Sequence, residues 1–224
     1  MDRKFLAFDL AVAKVVPDGD GLNAHRPLGI SCAAMLLSDS RRSVTWHGRT
    51  PNGGAAGRMG PEESKVMVQT LVGKVNEGYI LVTWNGLSFG LPALAEESGL
   101  ESECELLSSR HVDMMFHVYC VKGQYLHLKT AATGMGLQVK AQGMAVRDGP
   151  RLWAQGEHQQ VLDHLARNLR TTIDLALICE QRKVLLWITR RGSSQGMDLP
   201  FGWLTVPEAA RIKGIDHTQW QWDR

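Results

Sequence analysis

The stretch from Glu157 to Arg182 constrains the fold more than any other part of the chain. Val161, Leu165, Leu169, Ile173 and Leu177 recur there every four residues, a spacing that lays an apolar stripe along one side of a long helix. The stripe drifts round the helix, because four residues overshoot a turn of 3.6. A helix this one-sided needs a broad apolar surface to lie on, and a β-sheet supplies one.

Strands for such a sheet can be read along the chain. Phe5–Leu10 is a short apolar run with Asp9 near its end, as in a buried strand that presents its last residues at a sheet edge. Leu28–Leu37 and the β-rich Val44–His47 suit an antiparallel pair. Tyr79–Trp84 is the clearest buried strand, ended by Asn85-Gly86, and His111–Met115 and Val184–Thr189 supply two more. Helices are expected over Pro61–Asn76, where Pro and two acids occupy the first turn, from Pro92 onward, over Leu126–Met135, and as a terminal turn at Pro207–Arg211. Val15–Pro27, with Asp18-Gly19-Asp20-Gly21 between two prolines, reads as a loop. An antiparallel opening followed by alternating helices and strands predicts an α/β fold: a mixed sheet flanked by helices, in a single domain.

Composition narrows the function classes. With 224 residues, 44% apolar and 21% charged, the chain should fold by itself around one core. A net charge of +2 is no electrostatic footprint of a protein that binds polyanions through bulk charge. Cys32, Cys104, Cys120 and Cys179 are far apart and form no Cys-x-x-Cys pair, which points to isolated thiols in a reducing cytoplasm. No run approaches the roughly 20 apolar residues of a membrane helix, so neither a membrane partner nor secretion is expected. A Gly-x-x-x-x-Gly-Lys loop, a Gly-x-Ser-x-Gly elbow and a Rossmann glycine pattern are missing, which sets those chemistries aside.

Three places gain meaning when taken together: Phe8-Asp9-Leu10-Ala11 at the end of the first strand, Trp84-Asn85-Gly86-Leu87-Ser88-Phe89-Gly90-Leu91-Pro92 after the buried strand, and His164 to Thr172 on the long helix. In this order and context the chain resembles the ribonuclease H-like 3′–5′ exonucleases of the DEDD kind, especially bacterial proteins similar to polymerase-associated exonuclease domains. Those enzymes have Asp-x-Glu in the first place, Trp-Asn-Gly-x-x-Phe-Asp-x-Pro in the second, and Tyr-x-x-x-Asp followed by Thr in the third. His111-Val112-Asp113, Leu126 to Leu137 and Gly156-Glu157-His158 resemble their connecting segments. The resemblance implies a ribonuclease H-like domain over residues 1–190, with 191–224 as a C-terminal extension packing on it.

This chain departs from the family at the reactive positions. Asp9 remains, but Ala11 stands at the glutamate position, Gly90 and Asn168 at the two later aspartates, and His164 at the tyrosine. The family's chemistry is two-metal phosphodiester hydrolysis, and Mg²⁺ or Mn²⁺ held in pairs requires several anionic oxygens. The resemblance therefore implies a catalytically silent relative without a cofactor. It would keep a cleft for single-stranded DNA or RNA, with Asn85 and Phe89 among the binding residues. An active exonuclease that uses Mg²⁺ or Mn²⁺ through non-standard ligands, and a protein-interaction module on the same scaffold, stand as alternatives.

Rescue by neighbours finds little support in the spacing. Asp163 and Asp174 lie five residues before and six after Asn168, away from its helix face. Asp18 and Asp20 read as solvated turn carboxylates and Asp113 as a capping or structural acid. His164 can be a general base near neutrality or a hydrogen-bonded structural residue, and without metals the second role suits it better. The other seven histidines show no metal-ligand spacing. Among the tryptophans, Trp84, Trp153 and Trp187 are expected in the core, and Trp203 and Trp220 as surface aromatics.

Overall fold

The computed structural model describes residues 3–40, 42–139, 147–217 and 220. Strands β1 (Phe5–Val12), β2 (Ile30–Leu37), β3 (Val44–His47), β4 (Ile80–Thr83) and β5 (His111–Asp113) form one mixed sheet in the order β3-β2-β1-β4-β5. β2 is antiparallel to β1 and β3, while β1, β4 and β5 run parallel. Helices α1 (Pro61–Asn76), α2 (Leu91–Ser98) and α3 (Glu101–Ser109) join β4 to its neighbours, and α4 (Met114–Lys122), α5 (Leu128–Gly134), α6 (Asp148–Ala154) and α7 (His158–Arg182) follow β5. A hairpin of β6 (Val184–Ile188) and β7 (Ser194–Asp198) and the short α8 (Val206–Ala209) complete the described elements. This is the expected α/β architecture.

The period of two in β1 sorts its residues between two cores. Leu6, Phe8, Leu10 and Val12 pack with α1 and α2 on one face, whereas Phe5, Ala7 and Ala11 pack under α7 on the other. Asp9 shares the parity of Ala7 and Ala11, so it faces α7. The small side chains of Ala7, Ala11, Cys32 and Ala34 leave room for α7 to close on the sheet.

Val161, Leu165, Leu169 and Ile173 are buried as the stripe predicted, but Leu177 is 39% exposed. Each four-residue step turns the stripe by about 40°, and by the last turns Leu175, Ala176 and Cys179 have taken over the buried face.

Several expectations change. β5 ends at Asp113 rather than Met115, because the Asp113 carboxylate caps a helix: the N–H groups of Met115 and Phe116 donate to Oδ1 at 3.0 and 3.1 Å. β6 pairs with β7 in a separate two-stranded sheet and packs on α5 instead of extending the central one. Trp203 and Trp220 are not surface aromatics, being 1% and 2% exposed. Trp203 sits in the core under α7, and Trp220 packs with Leu87, Phe116 and Cys120. Arg3 explains part of this burial. Its Nη1 donates to Oε1 of Glu180 at 2.5 Å and to the Trp203 carbonyl at 2.7 Å, and the Trp203 N–H donates to the same Glu180 oxygen at 2.9 Å. The start of β1, the end of α7 and the segment after β7 are thereby joined. Among the described residues no helix is long and apolar enough to cross a membrane.

Candidate functional site

The end of β1 and the middle of α7 bring Asp9, Asn168 and His164 together. The Leu10 N–H donates to Oδ1 of Asp9 at 2.9 Å, and Nδ2 of Asn168 donates to Oδ2 at 3.0 Å. The same Nδ2 lies 3.1 Å from Nε2 of His164, one helical turn earlier. An amide nitrogen has two hydrogens, so it can serve carboxylate and imidazole at once, provided Nε2 of His164 carries none. Burial and the Arg167 charge both lower the His164 pKa, which keeps the ring neutral and able to accept. The opposite amide orientation would set oxygen against the carboxylate. Burial pushes the Asp9 carboxyl up to about 6, with the Asn168 and Leu10 hydrogen bonds pulling the other way.

The second motif forms a turn that is pinned from below. Asn85 adopts a left-handed conformation with φ 69°, and a single π-type turn, Gly86–Gly90, leads into α2. The N–H groups of Asn85 and Leu87 donate to the two oxygens of Asp113 at 3.0 and 2.9 Å. With the two donors of α4, Asp113 accepts four backbone hydrogen bonds in a buried position. Burial raises its pKa against those four donors. It is therefore a structural acid, as expected. The Gly86 N–H donates to Oγ1 of Thr83, which also lies 2.7 Å from Nε2 of His111. Burial holds the His111 pKa down at about 3.

At the other motif positions, the structure shows what surrounds each residue. Oδ1 of Asn85 accepts from Ser88 Oγ at 2.6 Å, within its own turn. Phe89 is half-buried against the core of α1 and α2. Ala11 is buried on the face of Asp9. Gly90 has an ordinary helical φ of −71°, and a Cβ built on it would meet open space. Packing therefore does not exclude a carboxylate at position 90.

The donor set does not fit a pair of divalent cations. Of Asp9, Ala11, Gly90 and Asn168, the positions at which the motif resemblance expects ligands, only Asp9 offers an anionic oxygen, and Oδ2 of Asp9 already accepts from Asn168. Among the described residues no three His, Cys, Asp or Glu side chains are grouped to hold a metal. Asp18 pairs with Arg151 at 2.8 Å and Asp20 with His25 at 2.9 Å. Asp163 and Asp174 were expected to point away from Asn168. They in fact line the same groove, which is wide enough to take in more than one face of α7. Both are exposed, and Asp163 accepts from Gln159 at 2.8 Å.

That groove has a volume of about 500 Å³, and Gln138, Val139, His164, Arg167, Asn168 and Arg170 contribute to its lining. It can take a nucleotide-sized group. Sequence reasoning overlooked Arg147 and Arg151, which hold the loop between β1 and β2 through Pro17, Asp18 and Asp20. Their i, i+4 spacing around a short helix was the available signal.

A family model described as the RNase H superfamily matches residues 54–176. The match includes the second and third motifs but not Asp9. No curated protein matches the chain. Among solved structures, a family B DNA polymerase from the hyperthermophilic archaeon Pyrobaculum calidifontis matches with a TM-score of 0.56 and 16% identity. The match covers 80% of this chain and 25% of the polymerase, so the chain spans about a quarter of the polymerase's length.

Proposed function

Since the chain belongs to the RNase H superfamily, whose model matches more than half of its length, we propose that it is a catalytically silent domain on a 3′–5′ exonuclease scaffold, one that holds a nucleic-acid strand without cutting it. The observation that carries this reading is the array of Asp9, Asn168 and His164. A hydrogen-bonded amide stands there in place of an anionic ligand, and the carboxylate of Asp9 is the one left of four. Phosphodiester cleavage of the family's kind needs a metal-activated water and a stabilised leaving oxygen. A lone carboxylate that burial makes reluctant to ionise supplies neither.

Strand binding asks less of the site. The groove beside Asn168 and His164 presents Arg167 and Arg170, which suit phosphate oxygens. The fold likeness to a DNA polymerase, a protein that handles nucleic acid, agrees with the motif resemblance.

The test is a nuclease assay with 5′-labelled single-stranded DNA and RNA in Mg²⁺ and in Mn²⁺, run beside a binding titration. Binding that weakens with salt and leaves the strand at full length is the expected result. Shortening that follows added manganese and disappears in Asp9→Asn would overturn the reading.

A further inference from the structure

The loop from Ala13 to Gly29 begins two residues beyond Ala11, at the edge of the sheet where Asp9 lies. It is tied to helices on both faces of that sheet. On the side of α7, Arg147 donates through Nη1 to the Pro17 carbonyl at 2.5 Å and through Nη2 to the Asp20 carbonyl, while Nη2 of Arg151 donates to Oδ1 of Asp18 at 2.8 Å. On the opposite side, Nη1 of Arg26 pairs with Oε1 of Glu96 in α2 at 2.8 Å. Lys14 Nζ donates to the carbonyls of His25 and Pro27, and His25 pairs with Asp20, so the loop keeps its own shape.

The two ion pairs differ in exposure. Asp18 and Arg151 are 76% and 39% exposed, whereas Arg26 and Glu96 are 19% and 29% exposed. An ion pair open to water holds weakly and gives way to salt or to a competing anion, and a shielded one holds better. Of the two ion pairs, the one to α6 is thus the easier to exchange.

We infer that this loop is an autoinhibitory strap, whose acidic turn presents three oxygens to Arg147 and Arg151 in place of the phosphate oxygens of a nucleic-acid strand. The inference rests on the nucleic-acid reading above and adds to it a second cationic contact for the strand, on α6, which packs against α7 and β1. Two guanidinium groups four residues apart on one helix face can each take a phosphate in a forked pair of hydrogen bonds. With the strap closed, both are occupied by the chain's own oxygens. An entering strand exchanges Asp18 and the two carbonyls for phosphates, and the strap swings out from α6.

Asp18→Asn, Arg151→Ala and the double variant test this on the full chain, with a fluorescein-labelled 20-nucleotide oligo-dT as probe and hydrogen exchange of the amides of Asp18 to Gly21 as a second readout. Asp18→Asn should bind the strand about threefold to fivefold more tightly, the range expected for releasing one exposed ion pair. It should also speed exchange in the strap. Arg151→Ala should bind more weakly and flatten the plot of log affinity against log salt by about 0.7, the contribution of one phosphate on a single strand. In the double variant, Asp18→Asn should bring no further gain. If the parent protein binds the strand and Asp18→Asn leaves both affinity and exchange unchanged, the strap is refuted while the strand-binding reading stands. If no variant binds the strand, both fall, whatever the exchange rates show.

Discussion

Replacing Asp9 by Asn should make the protein more stable at neutral pH, and the size of the gain can be worked from its surroundings. Burial raises the Asp9 pKa from its ordinary 3.8 to about 6. At about 1.4 kcal/mol for each tenfold change in proton affinity, keeping the group ionised in the fold costs about 3 kcal/mol. Asp9 retains some contact with solvent, so about 2 kcal/mol is the better figure. Asparagine has one carbonyl oxygen, whereas Leu10 and Asn168 donate to two different oxygens of Asp9. Losing one of those bonds costs about 1 kcal/mol, which leaves a net gain of about 1 kcal/mol at pH 7.5.

The pH dependence gives the prediction its sign. Between about pH 4 and pH 6 the folded state binds the Asp9 proton and the unfolded state does not, so the parent loses stability relative to Asp9→Asn as pH rises through that window. Below pH 4 both states are protonated and the variant keeps only its lost hydrogen bond. Urea unfolding of both proteins at pH 4 and pH 7.5 should therefore show a relative gain for the variant of about 2 kcal/mol between the two conditions. A flat or reversed difference would mean that something attractive, such as a bound cation, steadies the ionised carboxylate, and the metal-free reading of the site would fail.

Other perturbations probe the same architecture. Asn168→Asp places a second carboxylate against Asp9 and should lower stability at pH 7.5 by about 2 kcal/mol, with recovery at pH 4.5 as one of the pair takes a proton; urea titrations at both pH values read this out. The combination Ala11→Glu, Gly90→Asp and Asn168→Asp should bind Mn²⁺ in calorimetry where the parent gives no heat, since position 90 has open space for a side chain. Strand binding by the parent should survive excess EDTA unchanged, and a loss would show that a cation bridges the phosphates. Asp113→Ala removes the acceptor of four backbone N–H groups and should cost about 3 kcal/mol or more in urea unfolding. Gly134→Ala would gain up to about 1 kcal/mol from helix propensity alone. A Cβ there would lie 2.2 Å from the Leu186 oxygen, so a net loss of stability is expected, and a rise in Tm would show that β6 is not seated on α5.

Legibility in the sequence followed the strength of the local signal. The α7 stripe, the buried run of β4 and the β1–β2–β3 meander could be read because apolar periodicity and burial coincide there. β7 was missed because Ser194-Gln195-Gly196-Met197-Asp198 has almost no apolar alternation; Met197 alone of the five is buried. α4 was hidden by its composition. Met114-Met115-Phe116-His117-Val118-Tyr119-Cys120 is apolar nearly all round and rich in β-prone residues, and a tertiary feature, the Asp113 cap, decides for helix. Trp203 and Trp220 were misplaced because a polar neighbourhood in sequence says nothing of Arg3, some 200 residues away, whose bonds fasten the segment that carries Trp203. At the site, Asp9, Asn168 and His164 could be read from motif spacing. The bridging role of the Asn168 amide could not, since it depends on which way two side chains face across a sheet and a helix.

Loss of the carboxylates also changes what the cleft can do without metal. Four carboxylates around a vacant metal site repel an incoming phosphodiester, and a phosphate about 5 Å from one of them meets about 3 kcal/mol of repulsion at an effective dielectric constant near 20. Metal ions normally reverse that sign. On the motif resemblance three of the four charges are gone, and the remaining one, ionised at neutral pH with a pKa of about 6, is offset by an amide donor. In the groove Arg167 and Arg170 then face the exposed carboxylates of Asp163 and Asp174, which lie outside the motif positions. The scaffold is not weakened by the change, because Asp113, Thr83 and His111 hold the motif turn without any of the replaced positions. Under the proposed function, the substitutions that would remove cleavage also reduce the electrostatic need for a metal in binding, which makes a strand-holding role the physical counterpart of silence.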